Sequence, residues 1–384
     1  MLSPAHTHAF EDGITATPLT SNTYTAEVRS EWAIGDVPHG GYLTAIVYRL
    51  ACDYLHKRHT LEASPITLQL TFVRHTTASI LQPCLLGDSL PLRNRICMGS
   101  MTRNRCVDDN KPTEASIVHY ATRARDGAGL IVAEGTFIHL NGAGWPHAPL
   151  MSNSAHAQAW KQVTDAVHRE EGKMFFQPWH PGRVQIENMA MLKESGQPVL
   201  APPKLQAKGG KFRLLEGAPL SGSVGHTANI TEIEDPGQIV EQAWASVKLA
   251  KSAGFDGIEL LSQGGYLLHN FLCSHSNTRG DHYGGSTENR CRFVLEVVDA
   301  ICDVWSPRRV GIKICPSDDY NDSAVSYDEL FKMYNHLITE LFARGIAYPR
   351  PPGKELPLDF DPVDCFGDLI KNPGSKTLLM VNHE

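Results

Sequence analysis

Short apolar runs and longer amphipathic segments alternate along most of the chain. The runs are typical of buried parallel strands and cover residues 96–101, 129–137, 173–179, 258–261 and 310–316. The amphipathic segments have helical spacing and cover residues 116–125, 155–170, 236–253, 286–298 and 327–344. This alternation predicts an α/β fold of the TIM (β/α)8 barrel type.

Two parts of the pattern depart from this alternation. Residues 181–230 are rich in Gly, Pro and Lys without a clear period, which predicts a long loop suited to a lid. After residue 344 the pattern predicts a short sixth strand at 345–348, a helix at 360–371 and a seventh strand at 377–382. Because a closed barrel of this type has eight strands, we expect a barrel that is truncated after strand seven.

Residues 1–78 follow a different pattern, so we expect them to form a segment of their own before a barrel that spans residues 79–384. An alternating strand at 23–32, a turn at Pro38-His39-Gly40-Gly41, an apolar helix at 41–56 and a strand at 66–74 predict a partial α+β unit. This order resembles the first half of a hotdog-fold acyl-CoA thioesterase. The resemblance implies a helix start that polarises a thioester carbonyl. A tightly packed helix-start turn is the favoured alternative, because the other strands of a hotdog sheet are not found.

Composition limits the classes of partner. The chain has 384 residues, of which 42% are hydrophobic and 20% charged, as in a soluble globular protein with a full core. The formal net charge of -7 argues against nucleic-acid and anionic-membrane partners. No apolar run reaches the roughly 18 residues of a membrane span, and the N-terminus has no secretory pattern. The nine cysteines have no C-x-x-C spacing, which predicts a reduced, cytoplasmic protein.

Candidate chemistry lies where the predicted strands end, which is where β/α barrels carry their reactive groups. The first strand ends in Met98-Gly99-Ser100-Met101-Thr102 and the second in Glu134-Gly135-Thr136. The third ends in Gln177-Pro178-Trp179-His180. The fourth runs into a Gly-broken loop with Tyr266, and Lys313 lies within the fifth.

These motifs, in this order, resemble the old yellow enzyme family of FMN-dependent ene reductases, and the resemblance covers residues 81–384. It implies that FMN is contacted by the strand-end residues Ser100, Met101, Thr102, Gly135, Gln177 and Lys313. The Thr102 hydroxyl would bond the isoalloxazine carbonyl and Gln177 the pyrimidine edge. Lys313 stands where the family has an Arg, and it keeps a cation near the flavin N1 region.

The resemblance also assigns a substrate pocket. Tyr266 would donate the proton to the substrate Cα, opposite the hydride, because a phenol with a pKa near ~10 stays protonated at neutral pH. Trp179, Leu261 and Gly264 would line the pocket. Leu261 and Gly264 occupy the positions of the family's two carbonyl-anchoring side chains, a His and an Asn or second His. The family's phosphate-binding segment has no counterpart before residue 384.

Three functions follow from these patterns. The first is an FMN-dependent, NAD(P)H-linked oxidoreductase that reduces an activated C=C bond of an enone-like small molecule, in secondary metabolism. The second is a degenerate, inactive relative or binding partner, which the altered anchor positions and the incomplete segments favour. The third is an acyl-CoA thioesterase, which depends on residues 23–74 alone. No metal is expected, and assembly into a homo-oligomer is compatible with each.

Overall fold

The computed structural model describes residues 82–350 except 88–89, 108, 146, 209–224 and 317–319. Outside this range it describes only short strands, at Thr17–Pro18, Tyr24–Thr25, Ala33–Ile34, Val37–Pro38, Leu70–Phe72 and Val381–His383. The predicted helices at 41–56 and 360–371 lie outside the described residues. Within the described part of the chain, no helix is both long and apolar enough to span a membrane.

A six-stranded parallel sheet is the centre of the fold. Its strands are β1 (Cys97–Met98), β2 (Leu130–Val132), β3 (Met174–Phe176), β4 (Gly257–Ser262), β5 (Val310–Ile314) and β6 (Tyr348–Arg350). Each strand pairs in parallel with the strand that precedes or follows it along the chain. This sequential parallel order is that of consecutive strands in a β/α barrel, and it agrees with the predicted α/β class.

Seven α-helices are described within residues 82–350. They are α1 (Glu114–Arg125), α2 (Ser154–Arg169), α3 (Ala190–Ser195), α4 (Pro236–Ser252), α5 (Leu267–Leu272), α6 (Thr287–Val304) and α7 (Tyr327–Ala343). Of these, α1, α2, α4, α6 and α7 lie where the amphipathic segments predict helices, and the short α3 and α5 were not predicted. Several begin at a residue whose side chain accepts a hydrogen bond from the first turn. Ser286 caps α6 and Ser326 caps α7 in this way.

The apolar faces of these helices pack on the sheet and form the main core. Trp160 of α2 is fully buried, and its ring lies 5.3 Å from that of Phe255, just before β4. Phe176 of β3 lies at the same distance from Phe255 on another side. This packing fixes the helices against β3 and β4, and thereby fixes the loops that leave the strand ends.

The structure changes three of the predicted elements. The segment 181–230 is not loop throughout, because it contains α3 and the strand Val199–Ala201, which pairs in parallel with Ile230–Glu232 at the end of the segment. β6 begins at Tyr348, three residues later than the predicted start at Gly345. Gly345 has a φ of 67° at the end of α7, so it is not extended. The seventh strand, predicted at 377–382, is described only at Val381–His383. These residues pair antiparallel with Leu70–Phe72 rather than extending the parallel sheet.

Candidate active site

The predicted second and third strands are each interrupted near their C-terminal ends. After a gap, the chain re-forms two-residue strands at Thr136–Phe137 and Pro178–Trp179, which again pair in parallel. Gly135 and Gln177 lie in the gaps. Pro178 contributes to the break because it has no backbone N–H for a regular ladder. The interruption places polar groups at the strand ends.

Glu134 fixes the end of β1 to the end of β2. Its Oε2 accepts a hydrogen bond of 2.8 Å from the backbone N–H of Arg103. Its Oε1 accepts from the Tyr120 hydroxyl at 3.3 Å, and that hydroxyl accepts from the Glu134 N–H at 2.9 Å. Burial raises the pKa of Glu134 to about 7 despite these hydrogen bonds, which lower it. The contact holds the segment that contains Ser100, Met101 and Thr102 at this edge of the sheet.

Gln177 links three strands through its amide. The Ser100 hydroxyl donates to Gln177 Oε1 at 2.7 Å, and Gln177 Nε2 donates to Glu259 Oε1 at 2.8 Å. Gln177 is 2% exposed and Glu259 is fully buried. Ser100, Gln177 and Glu259 therefore form a hydrogen-bonded row across the barrel end, from the segment after β1 to β4.

Gly135 lies beside this row, where the neighbouring side chains leave little room for a Cβ. A Cβ at this position would lie 3.2 Å from the Trp179 ring and 3.4 Å from Gln177 Oε1. Such contacts are tighter than ordinary packing, so a side chain here would crowd both groups. Glycine at this position therefore lets Trp179 and Gln177 pack closely against this strand end.

Lys313 adds a buried cation to the same face of the sheet. It is 7% exposed, and its register partner on β4 is Leu261. Leu261 lies two residues after Glu259, and residues two apart on a strand project from the same face. Lys313 thus lies on the face that carries Gln177. An amide with both donor and acceptor and a buried cation on the same face fit a flat, partly polar ring system such as an isoalloxazine.

Aromatic rings form the wall next to this surface. The Trp179 ring stacks on Phe137 with centroids 4.8 Å apart, and Trp145 meets it edge-on at 5.4 Å. Leu261 packs in the same apolar cluster. Trp179 is 4% exposed, and its indole N–H has no hydrogen-bond partner among the described residues.

Tyr266 is held at this wall by the loop that follows β4. The loop turns through Gly264 and Gly265, whose φ values are 70° and 66°. The Asn321 side chain donates to the Gly264 carbonyl at 2.6 Å, and that of Asn270 donates to the Gly265 carbonyl at 2.7 Å. The half-buried Tyr266 ring meets Trp179 edge-on at 4.9 Å. Its position is therefore fixed by β4, the glycine turn and the indole.

The two anchor positions carry no hydrogen-bonding side chain. Leu261 packs in the aromatic cluster, and a Cβ on Gly264 would lie 2.8 Å from the Tyr266 ring. His269 does not replace them, because its Nδ1 accepts from the Gly265 N–H at 3.1 Å and its Nε2 lies 3.4 Å from the Tyr334 hydroxyl. Burial lowers the pKa of His269 to about 4, so it is a neutral core residue.

The structure brings most of the predicted site residues to one end of the sheet. Thr102 is exposed and Met101 half-buried, just past Ser100. Sequence reasoning missed Phe137, Trp145 and Glu259. Glu259 could have been found from the sequence, because an acidic residue inside an apolar strand is rarely buried without a polar partner. The ring contacts could not have been found in this way, because they depend on how two strand ends meet.

Comparison with known protein families gives two matches to different parts of the chain. The model of the NADH:flavin oxidoreductase / NADH oxidase family matches residues 79–348. The model of the acyl-CoA thioesterase N-terminal domain matches residues 28–82. The second match lies almost wholly outside the residues that the structure describes.

Individual relatives resemble the same part of the chain. A probable flavin mononucleotide-dependent alkene reductase of Leishmania infantum is 34% identical over 272 residues, which are 70% of this chain and 72% of the relative. The 12-oxophytodienoate reductase 2 of Arabidopsis thaliana is 34% identical over 275 residues, 70% of this chain and 69% of the relative.

Solved structures give the same likeness at the level of the fold. Morphinone reductase in complex with tetrahydroNAD superposes with a TM-score of 0.65 at 36% identity, covering 72% of this chain and 74% of that chain. The old yellow enzyme homologue from Zymomonas mobilis gives 0.64 at 30% identity, covering 72% and 75%.

Proposed function

The chain belongs to the NADH:flavin oxidoreductase / NADH oxidase family, and we propose that it is an FMN-dependent reductase of activated C=C bonds in small molecules. The observation that carries the proposal is the joint placement of Gln177, Gly135, Lys313 and Tyr266 at one end of the sheet. Relatives described as an alkene reductase and as an oxophytodienoate reductase support the reaction class. NADH or NADPH would be the reductant, in the cytoplasm.

The cofactor would be held by residues that already face one another. Gln177 offers an amide hydrogen and a carbonyl oxygen to the pyrimidine edge, and Gly135 lies next to Gln177. Ser100, Met101 and Thr102 would contact the cofactor from the end of β1, and Lys313 would place a positive charge near it. When bound, FMN supplies the hydride to the substrate carbon.

Tyr266 is the proposed proton donor. Its hydroxyl group lies on a side chain that packs against the aromatic wall, and a phenol remains protonated at neutral pH, so it can act as a general acid. The O–H bond breaks as a C–H bond forms at the substrate Cα, and solvent returns the proton to the phenolate. Edge-on contact with Trp179 and the rigid glycine turn hold the ring in place for this transfer.

The wall selects for an apolar enone-like substrate. Trp179 and Leu261 contribute the small apolar surface of this cluster, and the fully buried Phe137 supports the Trp179 ring from behind. The indole N–H of Trp179 has no partner among the described residues, but it is buried, so a substrate carbonyl oxygen could reach it only if neighbouring side chains moved. Since losing one oxyanion donor costs about 10²–10³ in rate, we expect slower turnover than a site with both anchors provides. A pathway of secondary metabolism is the proposed context.

FMN binding tests this function. Titration of the purified protein with FMN should give a saturable complex with flavin absorbance near one equivalent, and bound FMN should raise the unfolding temperature. Protein that stays colourless and gains no thermal stability from FMN would contradict the proposal. Gln177→Ala should weaken binding by about tenfold, the loss expected for hydrogen bonds to a buried partner.

Leu261 and Gly264 favour a second candidate, a relative that binds FMN without reducing enones. Neither residue has a side-chain donor for a substrate carbonyl. The two candidates differ in one result. Stoichiometric FMN with no enone reduction, and with reduction appearing in Leu261→His, would favour the second candidate.

The thioesterase match at residues 28–82 favours a separate, third activity. Hydrolysis of a short-chain acyl-CoA that is lost in His39→Ala, with FMN binding unchanged, would support it. Absence of hydrolysis by the wild-type chain would exclude it for that substrate.

A further inference from the structure

Glu259 is a fully buried acidic residue that has no role in the proposed reaction. It lies in the middle of β4, between Ile258 and Leu260, and none of its surface is exposed. Acidic side chains are almost never fully buried unless they are paired. Because burying an acidic group costs free energy, we expect the Glu259 carboxyl group to orient the polar groups that contact it.

Glu259 contacts the amide of Gln177. Gln177 Nε2 donates to Glu259 Oε1 at 2.8 Å, and Gln177 Oε1 accepts from the Ser100 hydroxyl at 2.7 Å. The two ends of an amide differ, since nitrogen only donates and oxygen only accepts. A carboxylate only accepts, so it requires the nitrogen end. A hydroxyl can donate or accept and imposes no direction by itself.

We propose that Glu259 is a positioning residue that fixes the direction of the Gln177 amide for FMN. The inference rests on the proposed function. With the nitrogen held towards Glu259, Gln177 keeps one N–H and one carbonyl lone pair for a ligand. The pyrimidine edge of an isoalloxazine has adjacent C=O and N–H groups, which match that order. A reversed amide would place donor against donor and acceptor against acceptor.

The substitution Glu259→Gln tests the direction while keeping the shape. A glutamine at this position can present either its oxygen or its nitrogen, so it no longer requires one orientation of Gln177. We expect the dissociation constant for FMN, measured by flavin fluorescence, to rise about tenfold, the scale of one lost buried hydrogen bond. The midpoint potential of the bound flavin should also shift. Glu296→Gln is the matched control, because Glu296 lies on α6, outside the site, and accepts a hydrogen bond from the Tyr283 hydroxyl.

A double-mutant cycle separates positioning from a general effect on the fold. If Glu259 acts through Gln177, Glu259→Gln should change neither FMN affinity nor flavin potential further in a Gln177→Ala background. Thermal unfolding of each apoprotein shows whether the variants are folded. If Glu259→Gln does not fold, Glu259→Asp replaces it, because it withdraws the carboxyl by one methylene and should lose affinity through Gln177 in the same way.

The outcomes are distinct. Coupling between positions 259 and 177 in affinity and in potential supports the inference. Equal losses in both backgrounds, or wild-type affinity in the folded Glu259 variant, would overturn it and leave the proposed function intact. Wild-type protein that binds no FMN would overturn both.

Discussion

At the scale of single residues, Gly264 sets the space that the Tyr266 ring occupies. A Cβ at position 264 would lie 2.8 Å from Cε2 and 3.1 Å from Cδ2 of that ring, and the φ of 70° favours glycine. A donor side chain cannot be restored at this position while the ring stays where it is. The absence of a side chain at Gly264 is therefore required for the Tyr266 ring to occupy its position.

Gly264→Asn should lower enone reduction although it adds a hydrogen-bond donor. We expect a loss of about 10²-fold, the scale for displacing a reacting group by about 1 Å, with FMN affinity unchanged. Gly196→Asn is the matched control, because Gly196 has a φ of 64° and a Cβ there would meet no described atom within 4 Å. Steady-state turnover of both variants measures the difference. A gain in turnover in Gly264→Asn would show that the ring does not define the site.

His180 gives the apoprotein a pH dependence. Its Nδ1 accepts from the Gly182 N–H at 3.0 Å, so the neutral ring carries its hydrogen on Nε2, 3.1 Å from Asn141 Oδ1. Burial lowers the pKa of His180 from the ordinary histidine value of 6.5 to about 3. Below pH 6.5 the unfolded chain gains a proton that the folded chain does not, so stability is full above this pH and falls towards pH 3.

The contribution of His180 can be measured by urea unfolding at pH values between these limits. Each histidine of this kind adds about 1.4 kcal/mol per pH unit to the slope of the unfolding free energy against pH. His180→Gln should therefore lower that slope by this amount. The variant will be less stable at neutral pH, because it also changes the buried contacts. A slope equal to that of the wild type would contradict the assigned tautomer and burial.

The sequence predicted those site residues that have a motif around them. Gly135, Gln177, Trp179 and Tyr266 follow apolar runs, so their placement at strand ends could be inferred from the pattern. The partner of Gln177 could not, since pairing of Glu259 with Gln177 depends on the register between β3 and β4. The structure supplies that register: Phe175 pairs with Gly257 and Phe176 with Ile258.

At the scale of elements, Gly257 lets β4 lie close to the Phe175 ring of β3 and to the backbone just before β5. A Cβ at Gly257 would lie 2.4 Å from the Phe175 ring and 2.6 Å from the Arg309 carbonyl. Because the Arg309 carbonyl is backbone, a side chain could fit only if the Phe175 ring shifted and the chain before β5 moved away from β4. The hydrogen-bonded row from Ser100 to Glu259 crosses from the end of β3 to β4, so its geometry depends on the spacing of these two strands.

Gly257→Ala should destabilise the protein and weaken FMN binding together. Overpacking of this kind costs about 1–3 kcal/mol, to be measured by chemical denaturation of the apoprotein. Gly280→Ala is the control, because a Cβ at position 280 would have open space for 4 Å around it among the described residues. Unchanged stability in Gly257→Ala would show that the Phe175 ring and the Arg309 carbonyl leave more room at this position than the structure indicates.

Element types were easier to predict from the sequence than element ends. Long amphipathic segments gave α2, α4 and α7 to within one or two residues, because their apolar faces repeat over several turns. The strand ends were misplaced at 129–137 and 173–179, since periodicity alone does not show where Glu134 and Pro178 interrupt the ladder. α3 was missed because six residues give too short a repeat.

At the scale of the whole molecule, the chain combines matches to two families. Six sequential parallel strands and the flavin oxidoreductase family match lie within residues 79–350, and the thioesterase match lies before them. The β/α alternation was predictable because each strand and helix buries an apolar face. The pairing of Leu70–Phe72 with Val381–His383 was not, because residues so distant in sequence leave no shared local pattern.

Rapid mixing of the reduced holoprotein with an enone measures the transfer of hydride and proton to the substrate apart from reduction of the flavin. Protein loaded with FMN and reduced anaerobically by NADPH should be reoxidised by 2-cyclohexenone at a rate that saturates with enone concentration. Tyr266→Phe should slow this reoxidation by about 10²-fold, the scale of general acid catalysis, while its reduction by NADPH is unchanged. Tyr327→Phe, on the exposed side of α7, should behave as the wild type. Flavin that is reduced by NADPH but not reoxidised by any enone, or equal reoxidation rates in wild type and Tyr266→Phe, would contradict the account.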